Sequence, residues 1–319
     1  MDQQNVAPNG TRDRARLARK RIGSAIAASA LLLAAATHMT GCAQGSQAPT
    51  GESSIAESRV LTNTVEVDGR QGVAAENGWR WVSGSTTLSK YDGDWNLVAT
   101  NDSPFDEGYD LKVNHIGDID VYKNEVYCGV ELFEDGIASN IQIAIYDGDT
   151  LKLKRTFNFE PDSGQDECSG ICVNPDAGIV SMCAWTDTGD HVYNYDLDTG
   201  EYLGKVRLSP APTWTQGIAY HNGTYYFTAD DGDADKDAPD HVYSFELSDG
   251  ATEATVTTAM TLDDVRLQGE IEGLSFDKDS GEMLVLYNRG ARIVQGMPVG
   301  FYDGYDHEIH EVYSYGDKS

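Results

Sequence analysis

Glu270 and Glu272 stand one residue apart, and alternate residues of an extended strand share a face. Two carboxylates held that way can divide acid and base roles by splitting their pKa values, or can grip a cation together. His115 precedes Asp118 and Asp120, a grouping in which an imidazole can serve as base or ligand, or simply as a hydrogen-bonded structural group. Gln71 and Gln216 each stand directly before a glycine, and their amides can orient a polar ligand. In Asp230–Asp240 (DDGDADKDAPD), Asp231, Asp233, Asp235 and Asp237 alternate and offer the hard oxygens that Ca2+ takes. The glycine and glutamate that an EF-hand needs at its sixth and twelfth positions are Lys236 and Val242 here, so a solvated acidic loop is the other reading. The seven histidines are scattered, and no HExxH, GxSxG or GxxxxGK[ST] occurs, so no motif names a reaction.

What positions these residues is a repeat. A polar residue, a glycine and an alternating apolar stretch open five similar units at Gly72, Gly117, Gly170, Gly217 and Gly273, spaced by 45, 53, 47 and 56 residues. Each opening is followed by two more apolar stretches, and the third matches locally between units as Asp190-His191-Val192-Tyr193 and Asp240-His241-Val242-Tyr243. Outer strands are expected at Trp95–Thr100, Leu151–Phe159, Tyr202–Leu208 and Ala254–Leu262. Period-two alternation rich in Val, Ile, Tyr and Thr, broken by Asp-Gly and Asn-Gly turns, specifies strands and hairpins. Four strands per unit at this period predict an all-β, five-bladed β-propeller. The fifth unit lacks its own outer strand, and Arg59–Val67 (RVLTNTVEV) has the alternation to supply it and latch the ring. A β-sandwich is the competing arrangement; five copies in register weigh against it. The propeller would set Gln71, His115, Asp118, Glu167, Trp214, Gln216, Glu270 and Glu272 around one channel mouth. Loops starting near Glu131, Trp185, Asp230 and Asn288 would surround them, and closed β folds bind ligands in such mouths.

The chain has 319 residues with 23 Lys+Arg against 52 Asp+Glu, a formal charge of −29. That acidity argues against a nucleic-acid partner, since duplex affinity rests on Lys and Arg. With 40% hydrophobic residues the chain can bury a core, and disorder is not its dominant state. Residues 1–41 differ from the rest: Arg12, Arg14, Arg16, Arg19, Lys20 and Arg21 precede the uncharged, Ala/Leu-rich run Ile22–Thr37, as in a secretory signal. A single membrane anchor is the alternative, though the run is short for a ~30 Å hydrocarbon core. Residues 42–57 read as a flexible tether and 58–319 as the propeller. Removing residues 1–41 takes away six basic and two acidic residues, leaving 17 against 50 and a formal −33. Cys128, Cys168, Cys172 and Cys183 can pair in three ways in an oxidising compartment, and the hairpin placement of Cys168 and Cys183 favours that bridge.

Met39-Thr40-Gly41-Cys42 resembles the lipobox of bacterial lipoproteins, with Met39 where such boxes usually carry Leu. The resemblance implies diacylation of Cys42 and a protein held on the outer side of the cell membrane, since two acyl chains suffice for stable anchoring. Trp214-Thr215-Gln216-Gly217-Ile218 and Arg70-Gln71-Gly72-Val73 resemble the Thr-Gln-Gly-Leu blade openings of propeller-type glutaminyl cyclotransferases. That family is five-bladed and cyclises N-terminal glutamine, and the resemblance implies Gln71 or Gln216 as a substrate-binding amide. The family's acidic Gly-Glu-Gly opening of the second blade is His115-Ile116-Gly117-Asp118 here, and its later Asn-Glu-Leu-Glu-like segment has no counterpart. Two functions are therefore expected. One is a lipid-anchored module whose mouth binds a peptide, glycan or envelope protein through Gln71, Glu167, Trp214, Gln216 and Asn288. The other is a cyclotransferase or hydrolase using Glu270, Glu272, His115 or Asp118. Ca2+ is the one metal to be named, at Asp231, Asp233, Asp235 and Asp237.

Overall fold

A computed structural model describes residues 59–318 apart from 107, 186–188, 249, 266 and 268. The expected signal, tether and Cys42 lie outside the described residues. Among the described residues, twenty-three strands form five radial sheets and one extra hairpin.

Strand β1 (Arg59–Glu66) comes first in the chain and belongs to the last sheet. The first blade holds β2 (Gly72–Glu76), β3 (Trp79–Gly84), β4 (Thr87–Tyr91) and β5 (Leu97–Asn101). The second holds β6 (His115–Tyr122), β7 (Glu125–Glu134), β8 (Ile137–Asp147) and β9 (Leu153–Asn158), and the third β10 (Gly170–Asn174), β11 (Ile179–Cys183), β12 (His191–Asp196) and β13 (Tyr202–Ser209). The fourth has β14 (Thr215–His221), β15 (Thr224–Ala229), β16 (His241–Glu246) and, as its outer strand, β18 (Thr257–Thr261). Before β18 the chain detours as β17 (Glu253–Thr255), which adds to the third blade parallel to β13. The expected single strand Ala254–Leu262 is thus two, divided between neighbouring blades. The fifth blade holds β19 (Glu270–Phe276), β20 (Met283–Arg289), β23 (Ile309–Asp317) and β1, with the hairpin β21 (Ala291–Val294) and β22 (Met297–Phe301) inserted after β20.

The latch forms as its alternation requires. β1 pairs antiparallel with β23 from Arg59↔Asp317 to Glu66↔Glu311, so both ends of the propeller share one sheet. Arg59 Nη1 donates to the Tyr315 carbonyl at 2.9 Å. Two-residue turns at Asn77-Gly78, Asp135-Gly136 and Asn222-Gly223 have positive φ at both positions, the geometry that matches strand twist in tight hairpins.

Successive side chains point to opposite faces, and the inner strands are buried on both, so each sheet presents apolar side chains to both neighbours and one apolar cluster fills each interface. Trp81, Leu88, Ile119 and Tyr146 lie between the first and second blades, Ile143, Ile171 and Tyr193 between the second and third, and Val192, Ile218 and Phe227 between the third and fourth. Val242, Phe276 and Tyr315 join the fourth to the fifth, and Val73, Val82, Leu284 and Val312 close the fifth onto the first. Each buried side chain of this size contributes about 1.5–3 kcal/mol. Closure therefore rests on five apolar seams, with the strand pairing of β1 joining the chain ends.

The recurring glycines crowd the axis. A Cβ on Gly273 would lie 2.6 Å from Gly72 Cα, and one on Gly217 2.6 Å from the Leu274 nitrogen. At Gly117, Gly217 and Gly273 the innermost strand also carries a one-residue bulge, seen as register shifts between Ile116/Ile119, Thr215/Ile218 and Ile271/Leu274. Bulges leave backbone N–H groups without ladder partners. The Asp118 carboxylate takes them up, accepting from Ile119 N at 2.8 Å, Ile218 N at 3.2 Å and Leu274 N at 3.5 Å. Each such N–H left unmet would cost about 1–3 kcal/mol. Asp118 is thus an axial plug that ties three blades together, deeper than the mouth position expected for it.

Candidate functional site

Arg70, in the connection between β1 and β2, is the hub of the mouth. Its Nη2 lies 2.9 Å from Glu270 Oε2, 3.6 Å from Glu272 Oε1 and 3.2 Å from Glu308 Oε2. Burial works against the guanidinium charge, but the three carboxylates outweigh it and hold the pKa above the usual arginine value. Glu270 and Glu272 both reach Arg70, as their alternation on one strand predicts.

The glutamine amides tie this pair to the neighbouring blades. Gln216 Nε2 donates to Glu270 Oε1 at 2.9 Å, while Gln71 Nε2 donates to Glu272 Oε1 at 3.0 Å. Asn288 Nδ2 donates to the same Glu272 oxygen at 3.0 Å. With Gln71 oriented this way its Oε1 receives His115 Nε2–H at 2.9 Å, and His115 Nδ1 faces Glu131 Oε1 at 3.2 Å. The second Glu131 oxygen accepts from the Cys168 amide at 3.0 Å. A polar relay thus runs Glu131–His115–Gln71–Glu272–Asn288 across the first, second and fifth blades.

His115 was expected beside Asp118 and Asp120. The bulge in β6 explains the difference, because it re-aims Asp118 to the axis, while Asp120 takes Lys278 Nζ at 2.9 Å and the Val173 amide at 2.9 Å. His115 pairs instead with Glu131, which faces it across the β6–β7 ladder.

Asp230, at the end of β15, is buried, and neither of its oxygens makes a well-formed hydrogen bond among the described residues. Burial first, and then the negative charges of Asp240, Glu270 and Glu272, push its pKa well above the carboxylate range. Asp240 accepts from the Gly232 amide at 2.8 Å, yet burial still pushes its carboxyl up to about 7. Trp185 Nε1, Thr215 Oγ1 and Asn288 Oδ1 are likewise buried without hydrogen-bond partners among the described residues. The backbone brings the first two beside Asp230: Thr215 N donates to the Trp185 carbonyl at 3.2 Å, and Asp230 N to that of Trp214 at 3.0 Å. Buried polar atoms of this kind rarely stay unmet in a folded protein, and an unmet group costs about 1–3 kcal/mol. A ligand or ordered water of matching polarity would satisfy them.

The alternating aspartates do not converge. Asp231 accepts from His241 Nδ1 at 2.9 Å and Tyr243 OH at 2.5 Å, Asp233 pairs with Lys236 at 2.6 Å, and Asp235 pairs with Arg292. Asp237 sits exposed in a turn with φ 53°. Among the described residues no group of three or more His, Cys, Asp and Glu is gathered as a metal would require. The loop folds back on itself and docks the β21–β22 hairpin. Ala234 N donates to Ile293 O at 3.0 Å and Gln295 N to Gly232 O at 2.7 Å. The turn of that hairpin rests on Trp214, because a Cβ on Gly296 would stand 2.4 Å from the indole. Trp214 is thus half covered rather than an open platform. Glu167 stands on the third-blade side, where its carbonyl accepts from Gln165 Nε2 at 2.9 Å.

The expected Cys168–Cys183 bridge does not form. Cys128, Cys168, Cys172 and Cys183 are free and buried, because Cys183 pairs across the strand with Gly170 and Cys168 lies two residues before that register. Burial raises the pKa of all four, that of Cys183 to about 12.

Sequence reasoning placed Gln71, His115, Gln216, Glu270, Glu272 and Asn288 at one mouth, and these six meet there. It missed Arg70, Glu131 and Glu308 as partners and Asp230 and Asp240 as a buried pair. The position of Arg70 directly before Gln71 was the one available signal. Among the described residues no helix is long and apolar enough to cross a membrane.

No protein-family model and no curated protein matches the sequence. Among solved structures, the fold is similar to glutaminyl cyclase of Myxococcus xanthus, with a TM-score of 0.51 and 11% identity over 82% of this chain and 97% of that one. Looser likenesses are hydrazine synthase of Kuenenia stuttgartiensis (TM-score 0.43, 11% identity, 78% and 63% covered) and the computationally designed Ika8 protein (0.35, 13%, 77% and 70%).

Proposed function

We propose that this propeller is a ligand-binding module of the cell envelope whose mouth receives the amine- or amide-bearing end of a peptide-like ligand. The observation that carries this reading is Asp230: a buried carboxyl whose oxygens make no well-formed hydrogen bond among the described residues, with an unmet indole N–H and hydroxyl on Trp185 and Thr215 of the adjoining segments. An ammonium or amide N–H2 would satisfy Asp230 and Asn288 Oδ1, while a carbonyl would accept from Trp185 Nε1. Calorimetry with short peptides, free or acetylated at the N-terminus, tests it. Free peptides should bind, acetylation should weaken them, and Asp230→Asn should cost roughly ten- to hundredfold, as expected for a charge-assisted hydrogen bond. If no peptide binds, or Asp230→Asn binds equally well, the reading is lost.

A second reading draws on the Asp230–Asp240 pair and the likeness in fold to a glutaminyl cyclase. Two buried carboxyls that repel each other keep a proton near neutrality, and such a group can act as a general acid. In cyclisation of N-terminal glutamine, the α-amine attacks the side-chain amide carbon, a C–N bond forms, and the departing nitrogen takes a proton to leave as ammonia. Gln-initiated peptides that lose ammonia by mass spectrometry, with loss abolished in Asp230→Asn, would support this reading. Unchanged mass across a varied peptide set would count against it.

The address proposed for the module is the outer face of the cell membrane, through lipid on Cys42. This rests on the basic and apolar leader and on Met39-Thr40-Gly41-Cys42. Cys42→Ala should abolish incorporation of labelled fatty acid and move the protein from the membrane to the soluble fraction. Retention at the membrane without labelling would point to the apolar run as an anchor instead.

A further inference from the structure

A second concavity lies where the chain ends meet. The seam between the first and fifth blades opens into a cleft of about 560 Å³, within the size range of small-ligand sites. Asp68 and Arg70 from the β1–β2 connection, the Ser85–Thr87 turn after β3, Asp102 beyond β5, and His310 of β23 line it. Arg70 is the wall it shares with the mouth.

The free chemistry of these walls is selective. Arg70 is committed to Glu270, Glu272 and Glu308, so the cleft offers an anion no unshared cation, and a chain of formal charge −29 repels one. Asp68 and Asp102 are exposed, and among the described residues their carboxylates have no hydrogen-bond or ion-pair partner, although the Asp68 amide donates to Tyr91 OH at 2.8 Å; the hydroxyls of Ser85, Thr86 and Thr87 are equally unengaged. The two carboxylates and the imidazole are too dispersed to share a metal. Burial, reinforced by Arg70, lowers the His310 pKa and favours the neutral ring, which donates at one nitrogen and accepts at the other. What remains is a spread of acceptors on two sides, with groups between them that both donate and accept. A neutral molecule carrying several hydroxyls matches that array, because each carboxylate can take adjacent hydroxyls while serines and threonines supply either role.

We propose that this cleft is a second binding site, for a neutral mono- or disaccharide, with Asp68 and Asp102 accepting ring hydroxyls and the Ser85–Thr87 turn exchanging hydrogen bonds with them. The site is independent of the ligand proposed for the mouth.

Saturation-transfer NMR on the full-length protein tests this with glucose, galactose, N-acetylglucosamine, maltose and cellobiose, and with methylamine and inorganic phosphate as alternatives. At least one sugar should saturate with Kd on the order of millimolar. Asp102→Asn and, independently, the exposed Thr86→Val should each weaken it roughly tenfold, while Asp230→Asn at the mouth leaves it unchanged. Both substituted positions are solvent-exposed, and matching melting curves verify that each variant is folded. The proposal is overturned if no sugar saturates, or if sugar binding ignores both cleft variants. It also falls if the mouth variant abolishes that binding, or if methylamine or phosphate displaces the sugar.

Discussion

Asp240 and Asp230 show how burial, rather than residue type, sets the character of a side chain. Asp240 has a pKa of about 7 in the folded chain, against 3.8 for a free aspartate, and Asp230 is raised in the same direction. Between about pH 4 and 7 the native state keeps a proton that the unfolded chain releases, so stability declines as pH rises through that window. Below it both states are protonated and the effect vanishes. Urea denaturation should therefore give a higher midpoint at pH 5 than at pH 8, and Asp240→Asn, which preserves an oxygen for the Gly232 amide, should shrink the difference by about 2–4 kcal/mol. An unchanged difference would show that this carboxyl ionises normally. At this scale the sequence conveyed types and spacing only. Glu270 and Glu272 were legible because strand alternation forces them to one side. The pairing of Asp230 with Asp240 was not, because a loop with nine residues between them brings them together.

At the scale of elements, glycines at the axis and glycines in turns have separable causes. Gly273 meets backbone and the Asp118 carboxylate wherever a Cβ would go, whereas Gly178 has open space but a φ of +67°. Gly273→Ala should cost about 3 kcal/mol or more through overpacking at the axis, and Gly178→Ala about 1–2 kcal/mol from left-handed backbone strain alone. Chemical denaturation of the two variants measures this. Equal losses would remove the argument that axial crowding selects the glycine. The strands of each unit were readable because hydrophobic alternation and Asn-Gly turns are local signals. The β21–β22 hairpin was not, since it occurs once and a self-comparison detects only what repeats. β17 escaped for a related reason: its partner is the edge of the neighbouring blade, and no alternation within Ala254–Leu262 states where the strand must divide.

For the whole molecule, charge and closure oppose each other. A formal −29 on the chain is self-repulsive, and salt screens it. Raising NaCl from about 20 to 300 mM shortens the Debye length from roughly 20 to 6 Å, so the melting temperature should climb by several degrees. A melting temperature that falls or stays flat would mean that the carboxylates are already balanced by local partners such as Arg70 and Arg289. Arg289 holds Glu311 through two hydrogen bonds of 2.7 and 2.9 Å, on the strand that receives the latch.

The sequence by itself determined the number of blades and the identity of the closing strand. Both follow from periodicity, and a period survives in one dimension because every unit must bury the same faces. It also determined which amides and carboxylates rim the mouth, since they sit at fixed offsets from the repeating glycine. Only the tertiary structure decided what those groups do to one another: which carboxylates share Arg70, that Asp118 plugs the axis, that Asp230 is buried near Asp240, and that the aspartate loop docks a hairpin. Those outcomes depend on distances between residues far apart in the chain and on how much water is excluded between them. Neither quantity exists until the ring has closed.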